Sequence, residues 1–144
     1  MNMKNRKKVI INIVFAAYLL IMLWLLFGRR IGKGDLSDLR LIPFSTILSD
    51  LSHTFTMRGY EQRRAFLNLT GNVLLFVPLG AYLPYYSKNL KKLSRFLVCA
   101  LVIDVVIELT QYLFGLGCCD IDDVLLNVPG MLLGRWLYIR FAER

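Results

Sequence analysis

Four long apolar stretches divide the chain, and polar or basic links separate them. They occupy residues 9–27, 65–83, 96–114 and 121–138. Each is close to the roughly 20 residues that a helix needs to cross the hydrocarbon core of a bilayer. Because lipid offers no hydrogen-bond partners to an open backbone, we expect helices, with Pro78 and Pro129 tolerated inside a bundle. The pattern predicts an all-α fold: a polytopic membrane bundle of four transmembrane helices in one domain, residues 1–144.

The first link contains a shorter amphipathic pattern. Phe44, Ile47, Leu48 and Leu51 recur at helical spacing, and Pro43 suits the start of a helix. We therefore expect a short extracytoplasmic amphipathic helix between the first and second spans, lying on the membrane surface or packed into the bundle.

Basic residues set the predicted orientation. The link between the second and third spans holds Lys88, Lys91, Lys92 and Arg95, whereas the link between the third and fourth spans, GLGCCDIDD, is acidic. By the positive-inside rule the basic link is cytoplasmic and the acidic link is extracytoplasmic, which places both termini in the cytoplasm. The first link is also basic, so the later spans decide the orientation.

The third span carries acidic and amide side chains within its apolar run. Asp104 and Glu108 are four residues apart and Gln111 is three further on, so all three share one helix face. A carboxylate in the hydrocarbon core costs at least about 2.5 kcal/mol, and such residues usually face a bundle interior or a wet cavity. The pattern indicates either a polar site or hydrogen bonding between helices, and we favour the site.

Polar groups on the other spans fall at a similar depth. At 1.5 Å per helical residue, Asn72, Glu108 and Asn127 each lie roughly 10 Å below the outer surface, on three different spans. Asp120 and Asp123 share the helix face of Asn127, although carboxylates there also suit the capping of a helix. The inner half of the predicted bundle has nothing comparable. The sequence thus predicts an outward-facing pocket with these ligand-binding residues: Asn72, Glu108, Gln111, Asp120, Asp123 and Asn127.

Composition argues against an ordinary soluble domain. The 144 residues are 56% hydrophobic with a net charge of +8, and the mean hydropathy is +0.52. The basic residues lie beside apolar spans, so membrane lipids are the expected partner and nucleic acid is not. The sequence has no Cys/His spacing of the kind that binds metal, and we expect neither a metal nor another cofactor. No particular oligomeric state is predicted.

Four segments together resemble the VanZ-like family of small multi-span proteins from bacterial plasma membranes. They read LIPFSTI at residues 41–47, NVLLFVPLGAYLP at 72–84, IELTQ at 107–111 and DIDDVLLNVPGMLLG at 120–134. The family's polar positions fall on the same six residues that define the predicted pocket. The resemblance implies the fold, a plasma-membrane location and an association with resistance to teicoplanin, a lipoglycopeptide-type antibiotic. It implies no reaction.

Two functions are compatible with these observations. The first is a non-enzymatic protein of the cell envelope, whose pocket binds a cell-wall lipid precursor or a glycopeptide antibiotic and contributes to teicoplanin-like tolerance. The second is a membrane enzyme that modifies a lipid-linked substrate, with Glu108 as acid or base. The sequence shows no Ser/His or Cys/His pair and no HExxH motif, which favours the first function.

Overall fold

The computed structural model describes residues 3–28, 39–116 and 119–142. Within these ranges the chain forms five α-helices: α1 (Met3–Leu23), α2 (Ser45–Thr56), α3 (Tyr60–Tyr86), α4 (Leu93–Leu113) and α5 (Ile121–Leu137). π-Helical segments extend α1 (Trp24–Gly28) and α5 (Tyr138–Ala142), and a 3-10 turn (Lys88–Lys91) precedes α4. Two short strands, β1 (Leu39–Arg40) and β2 (Cys119–Asp120), pair in parallel.

Three of the four predicted spans form helices that are long and apolar enough to cross a membrane, over Asn5–Gly28, Tyr60–Tyr86 and Leu93–Leu113. The fourth forms α5, which has 17 residues. The second span begins five residues earlier than hydropathy indicated, because its first turns carry charged residues that favour a helix without being apolar. Arg64 and Glu61 form an exposed ion pair there, with 3.7 Å between nitrogen and oxygen.

The first link contains one feature that the sequence did not predict. Its pairing of β1 with β2 adds a strand contact to a fold predicted to be all-α, since two residues per strand are too few to leave a sequence pattern. Helix α2 forms within the segment for which an amphipathic helix was predicted, and Leu48 and Leu51 of the apolar stripe, together with Phe44 just before the helix, are exposed. The basic residues Arg29 and Arg30 of this link lie outside the described residues.

The surface of α4 has the polarity expected of a helix in lipid. Its buried residues recur at helical spacing and include Asp104 and Glu108. Its exposed face is apolar, with Val98 64% and Val102 57% exposed, whereas Asp104 is fully buried. An apolar exterior around an acidic interior is unstable in water but matches a hydrocarbon solvent. The burial pattern therefore supports the membrane location independently of helix length.

Helices α3 and α5 make the most extensive helix contact in the described structure. Three glycines allow it. A Cβ atom added at Gly80 would lie 2.0 Å from the Met131 carbonyl oxygen, and one at Gly134 would lie 1.9 Å from that of Val77. Gly130 is equally close to the backbone of α3. The GxxxG motif at residues 130–134 thus permits close backbone packing, as it commonly does in membrane helices.

Helix α1 is attached to α3 by aromatic stacking and a side-chain hydrogen bond rather than by close backbone packing. The Tyr18 hydroxyl donates a hydrogen bond of 2.6 Å to the Leu75 carbonyl oxygen in α3. Phe15 stacks on Tyr82 of α3 with 3.5 Å between ring centroids. Met22 joins the central apolar cluster, which also contains residues of α3, α4 and α5. The end of α1 is thereby held beside the interior of the bundle.

Substitution of Gly134 by alanine should separate α3 from α5. The added methyl group would overlap the Val77 carbonyl, and overpacking of this kind costs about 1–3 kcal/mol. We expect Gly134→Ala to lower the melting temperature of the purified protein in detergent. Gly71→Ala, on the same helix pair, is the matched control because its new Cβ meets nothing within 4 Å. Equal stability of the two variants would refute the close-contact interpretation.

Candidate functional site

The polar face of α4 points into the bundle. Asp104, Glu108 and Gln111 are 0%, 4% and 2% exposed. The side-chain amide of Gln111 donates a hydrogen bond of 3.0 Å to the Leu26 carbonyl oxygen, in the π-helical segment that ends α1. The spacing of these residues therefore brings carboxylate and amide groups to the protein interior, as the sequence predicts.

Amide–carboxylate pairs join the three packed helices. Asn72 Nδ2 of α3 donates to Asp123 Oδ1 of α5 over 2.6 Å. Asn127 Nδ2 of α5 donates to Asp104 Oδ1 of α4 over 2.9 Å. In apolar surroundings a hydrogen bond to a charged group is worth about 1.5–3 kcal/mol. Both pairs therefore fix the rotation of α5 relative to its neighbours.

A cavity of about 410 Å³ lies among the end of the α1 segment, α3, α4 and α5. Its volume is in the range of small-molecule binding sites. Apolar side chains form part of its wall, notably Leu25, Leu26, Leu74 and Leu75. The polar part of the wall contains five of the six predicted site residues: Asn72, Glu108, Gln111, Asp123 and Asn127.

The cavity region is rich in hydrogen-bond acceptors. Within the described structure, Gln111 Oε1, Asn127 Oδ1 and Asp104 Oδ2 are buried and have no hydrogen-bond partner. Each such buried atom costs about 1–3 kcal/mol when left unsatisfied. None of the described residues that line the cavity is a lysine, arginine or histidine. The unsatisfied oxygens can therefore accept hydrogen bonds from a bound group.

The sixth predicted residue, Asp120, lies outside the cavity wall and organises the start of α5. Its Oδ1 accepts from the Asp122 backbone N–H over 2.9 Å, which caps the helix. Its Oδ2 accepts from the Thr46 hydroxyl over 2.6 Å. Its own backbone N–H donates to Glu108 Oε2 over 3.1 Å. Asp120 thus positions the Glu108 carboxylate and connects it to α2.

Asp122 caps a helix that is distant in sequence. Its fully buried carboxylate accepts hydrogen bonds from the backbone N–H groups of Phe44, Thr46 and Ile47, over 2.6, 2.7 and 3.0 Å. Phe44 precedes α2 in a left-handed conformation (φ 65°) and has no side-chain oxygen to cap it. A carboxylate suits these exposed N–H groups and the positive end of the helix dipole.

Thr46 makes contacts near the candidate site that the sequence did not predict. Its hydroxyl and backbone N–H reach Asp120 and Asp122, across more than 70 residues of sequence. Its only sequence signal is its position within LIPFSTI, a segment that resembles the family pattern.

Cys119 lies beside this acidic group. Burial raises the pKa of its thiol, and the negative charges of Glu108, Asp120 and Asp123 raise it further. The thiol is therefore a poor nucleophile at neutral pH, because the thiolate is the reactive form. The neighbouring Cys118 lies outside the described residues.

A second cavity, of about 340 Å³, lies between β1, α2 and the start of α3. Its wall contains Arg40, His53 and Arg64 together with Asp50 and Glu61. The mixed charges partly compensate one another, as in the exposed pair of Arg64 with Glu61. Among the described residues there is also no group of three His, Cys, Asp or Glu side chains that could hold a metal ion.

These features define a helical membrane protein with an acidic, amide-lined cavity. The chain matches the VanZ/LLP1 family over residues 15–142. It is 30% identical over 131 residues to Protein VanZ of Enterococcus faecium. The alignment covers 91% of this chain and 74% of that protein. The chain belongs to the VanZ/LLP1 family, a family of membrane proteins linked to glycopeptide resistance. No solved structure matches it.

Loss of the Asp122 carboxylate should loosen the start of α2. Asp122→Ala leaves the Phe44, Thr46 and Ile47 N–H groups without their acceptor, and loss of a helix cap alone costs about 1 kcal/mol. We expect faster hydrogen exchange at these amides and a lower melting temperature.

Glu61→Ala serves as the control for this substitution. It removes an exposed carboxylate whose ion pair contributes little to stability. Unchanged exchange at residues 44–47 in Asp122→Ala would show that the cap does not hold α2.

Proposed function

We propose that the protein is a four-span protein of the bacterial plasma membrane with both termini in the cytoplasm. The three long apolar helices support three spans. Helix α5 supports the fourth, because it packs along α3 and its 17 residues reach roughly 25 Å. The π-helical segment Tyr138–Ala142 lengthens it further. In this orientation α2 lies on the outer surface, where its exposed apolar stripe contacts lipid headgroups and acyl chains.

In this membrane orientation the cavity binds an amphiphilic envelope ligand, a cell-wall lipid precursor or a lipoglycopeptide-type antibiotic, and thereby contributes to teicoplanin-like tolerance. The observation that carries this proposal is the set of buried acceptors around the cavity that no described group satisfies. A bound ligand would supply the missing donors, and the leucines on the opposite wall would contact its apolar part. Membership in a family linked to glycopeptide resistance supports the same function.

A second candidate is an enzyme that modifies a lipid-linked envelope substrate. The observation in its favour is Glu108, a 4% exposed carboxylate in the cavity wall that the Asp120 N–H holds in place. A positioned carboxylate in such a cavity has the properties of a general acid or base. Release of a modified product from a lipid-linked substrate would establish this function, whereas binding without turnover supports the first candidate.

The proposed orientation predicts which surfaces a membrane-impermeant thiol reagent reaches. In a variant whose native cysteines are replaced, Ser52→Cys on α2 should react from outside intact cells. Asn89→Cys, in the basic turn before α4, should react only after the membrane is opened. Both positions are exposed, so a difference in labelling reports the side of the membrane on which each position lies rather than its burial. The reverse labelling pattern would invert the topology.

Glu108→Gln tests whether the proposed function requires the carboxylate of Glu108 in the cavity wall. The substitution keeps the side-chain size and an oxygen for the Asp120 N–H, and it removes a carboxylate that is costly to bury. We expect normal expression and melting temperature together with loss of the teicoplanin tolerance that the wild-type chain confers on a sensitive host. The measurement is the inhibitory concentration of the antibiotic alongside membrane yield.

Two further variants distinguish the effect of losing the Glu108 charge from the effects of filling the cavity and of impairing insertion into the membrane. Gly71→Leu should fill the cavity from α3 without strain, since space is open beside Gly71, and it should also abolish tolerance. Leu109→Gln places the same amide on the exposed, lipid-facing side of α4, so it should reduce membrane yield instead. Wild-type tolerance in both Glu108→Gln and Gly71→Leu would mean that the cavity has no part in the function.

A further inference from the structure

We infer that Arg135 binds the headgroup phosphate of an anionic lipid at the cytoplasmic surface of the membrane, where Lys92 and Arg95 contribute further positive charge. The site lies at the end of the bundle where α4 begins and α5 ends, so it is separate from the cavity. Only its assignment to the inner leaflet depends on the proposed orientation. Three features lead to it: the surroundings of the Arg135 guanidinium, the charge of this end of the bundle and its exposed aromatic rings.

The Arg135 guanidinium is held in place, but its charge has no carboxylate partner. Its Nη2 donates a hydrogen bond to the Lys91 carbonyl oxygen, and its Cζ lies 5.6 Å from the centroid of the fully buried Phe96 ring. Its Nε is buried without a hydrogen-bond partner, and no described aspartate or glutamate forms an ion pair with it. A carbonyl oxygen and a ring face orient a guanidinium without neutralising it. The side chain therefore retains positive charge and donors for an anion.

Further positive charge lies beside Arg135. Lys92 and Arg95 are exposed, and in sequence they lie between the two residues that the guanidinium contacts. The described segments 82–96 and 135–142, which form this end of the bundle, contain no aspartate or glutamate. Arginine is well suited to phosphate, because its planar fork of N–H groups can bind two oxygens at once. The charge and the donor type together favour a phosphate group.

Exposed aromatic rings indicate that this end of the bundle lies at the membrane interface. Trp136 is 54% exposed and Phe141 is 65% exposed, and their rings pack edge to face with 6.2 Å between centroids. Tyr86, at the end of α3, is 79% exposed. Tryptophan and tyrosine concentrate where headgroups meet acyl chains. Arg135 precedes Trp136 in the chain, so its guanidinium can extend into the phosphate layer while acyl chains lie against the rings.

The same features select an anionic lipid rather than a zwitterionic one. A zwitterionic headgroup carries an ammonium beside its phosphate, and the cations at this end of the bundle would repel it. An anionic headgroup brings negative charge alone. Basic sites between membrane helices on the cytoplasmic side bind anionic headgroups for this reason, and in the proposed orientation Arg135 faces that side.

Titrations of the purified full-length protein in a nonionic detergent test this inference. The probes are dioctanoyl phosphatidylglycerol, dioctanoyl phosphatidylcholine with the same acyl chains, and glycerol phosphate without them. We expect phosphatidylglycerol to raise the melting temperature and to bind about tenfold more tightly than phosphatidylcholine. Glycerol phosphate should produce no shift at the same concentrations, because it lacks the acyl chains that hold the headgroup at the interface. The measurement does not depend on the orientation of the protein in a membrane.

Variants assign the binding to Arg135. Arg135→Gln keeps an amide donor but removes the charge, so it should lower phosphatidylglycerol affinity about tenfold and leave phosphatidylcholine binding unchanged. Arg135→Lys keeps the charge without the planar fork and should give an intermediate affinity. Arg140→Gln is the matched control, because it removes the same charge from an exposed side chain that lies over the Phe141 ring. It should change the affinity by less than about twofold, since exposed charges are well screened.

Several outcomes would overturn the inference. Equal losses in Arg135→Gln and Arg140→Gln would mean that binding follows net charge alone. Equal affinities for the two lipids would mean that headgroup charge is not recognised, and tight binding of glycerol phosphate would mean that the site takes a soluble phosphate.

Two further comparisons complete the design. If Arg135→Gln does not fold, Arg135→Lys decides, and wild-type phosphatidylglycerol affinity in that variant would contradict the role of the guanidinium. The cavity variants Glu108→Gln and Gly71→Leu should retain wild-type phosphatidylglycerol affinity, so failure of this inference and failure of the proposed function are separate results.

Discussion

The rest of the bundle depends on the backbone contact between α3 and α5. In lipid the hydrophobic effect does not drive helices together, so small residues that permit close packing take its place. Gly130 and Gly134 bring α5 against the carbonyl groups of α3 at distances that any side chain would block. This approach lets Asn72 reach Asp123 over 2.6 Å. Helices held further apart would break this hydrogen bond in apolar surroundings, so backbone packing and polar pairing reinforce each other.

A chain of hydrogen bonds connects the outer link to the cavity. Thr46 of α2 donates to Asp120, and the Asp120 backbone N–H donates to the Glu108 carboxylate. Asp122 simultaneously holds the N-terminus of α2 through three backbone bonds. Helix α2 contributes no described residue to the cavity wall, yet these two hydrogen bonds connect it to Glu108 through Asp120.

The sequence predicted those features that the membrane itself imposes. Lipid sets a minimum helix length, so hydropathy alone located three long helices, although it placed the starts of α1 and α3 too late because charged residues occupy their first turns. Lipid also penalises exposed polar groups, so the spacing of Asp104, Glu108 and Gln111 was enough to predict a buried face. Asn72 and Asn127, which the sequence places at a common depth, both line the cavity. These inferences need no knowledge of the partner helix.

The remaining features depend on contacts between distant segments, which a one-dimensional pattern does not contain. An aspartate at the start of α5 is expected to cap its own helix, and Asp120, which immediately precedes α5, does so. Nothing local indicates that Asp122 caps α2 instead, because the need arises from Phe44, which lacks a capping oxygen. The pairing of β1 with β2 has the same origin, since two residues per strand leave no periodicity.

The buried acceptors that remain unsatisfied carry the argument from fold to function. Asp122 and Asp120 show that this chain pairs its carboxylates where structure requires it. Gln111 Oε1 and Asn127 Oδ1 nevertheless lack partners in the described structure, and both residues line a cavity large enough for a ligand. Well-packed apolar residues at such positions would often be more stable, so stability alone does not account for them. Under the proposed function, a group that enters the cavity and donates hydrogen bonds would account for them, because it would convert their cost into binding free energy.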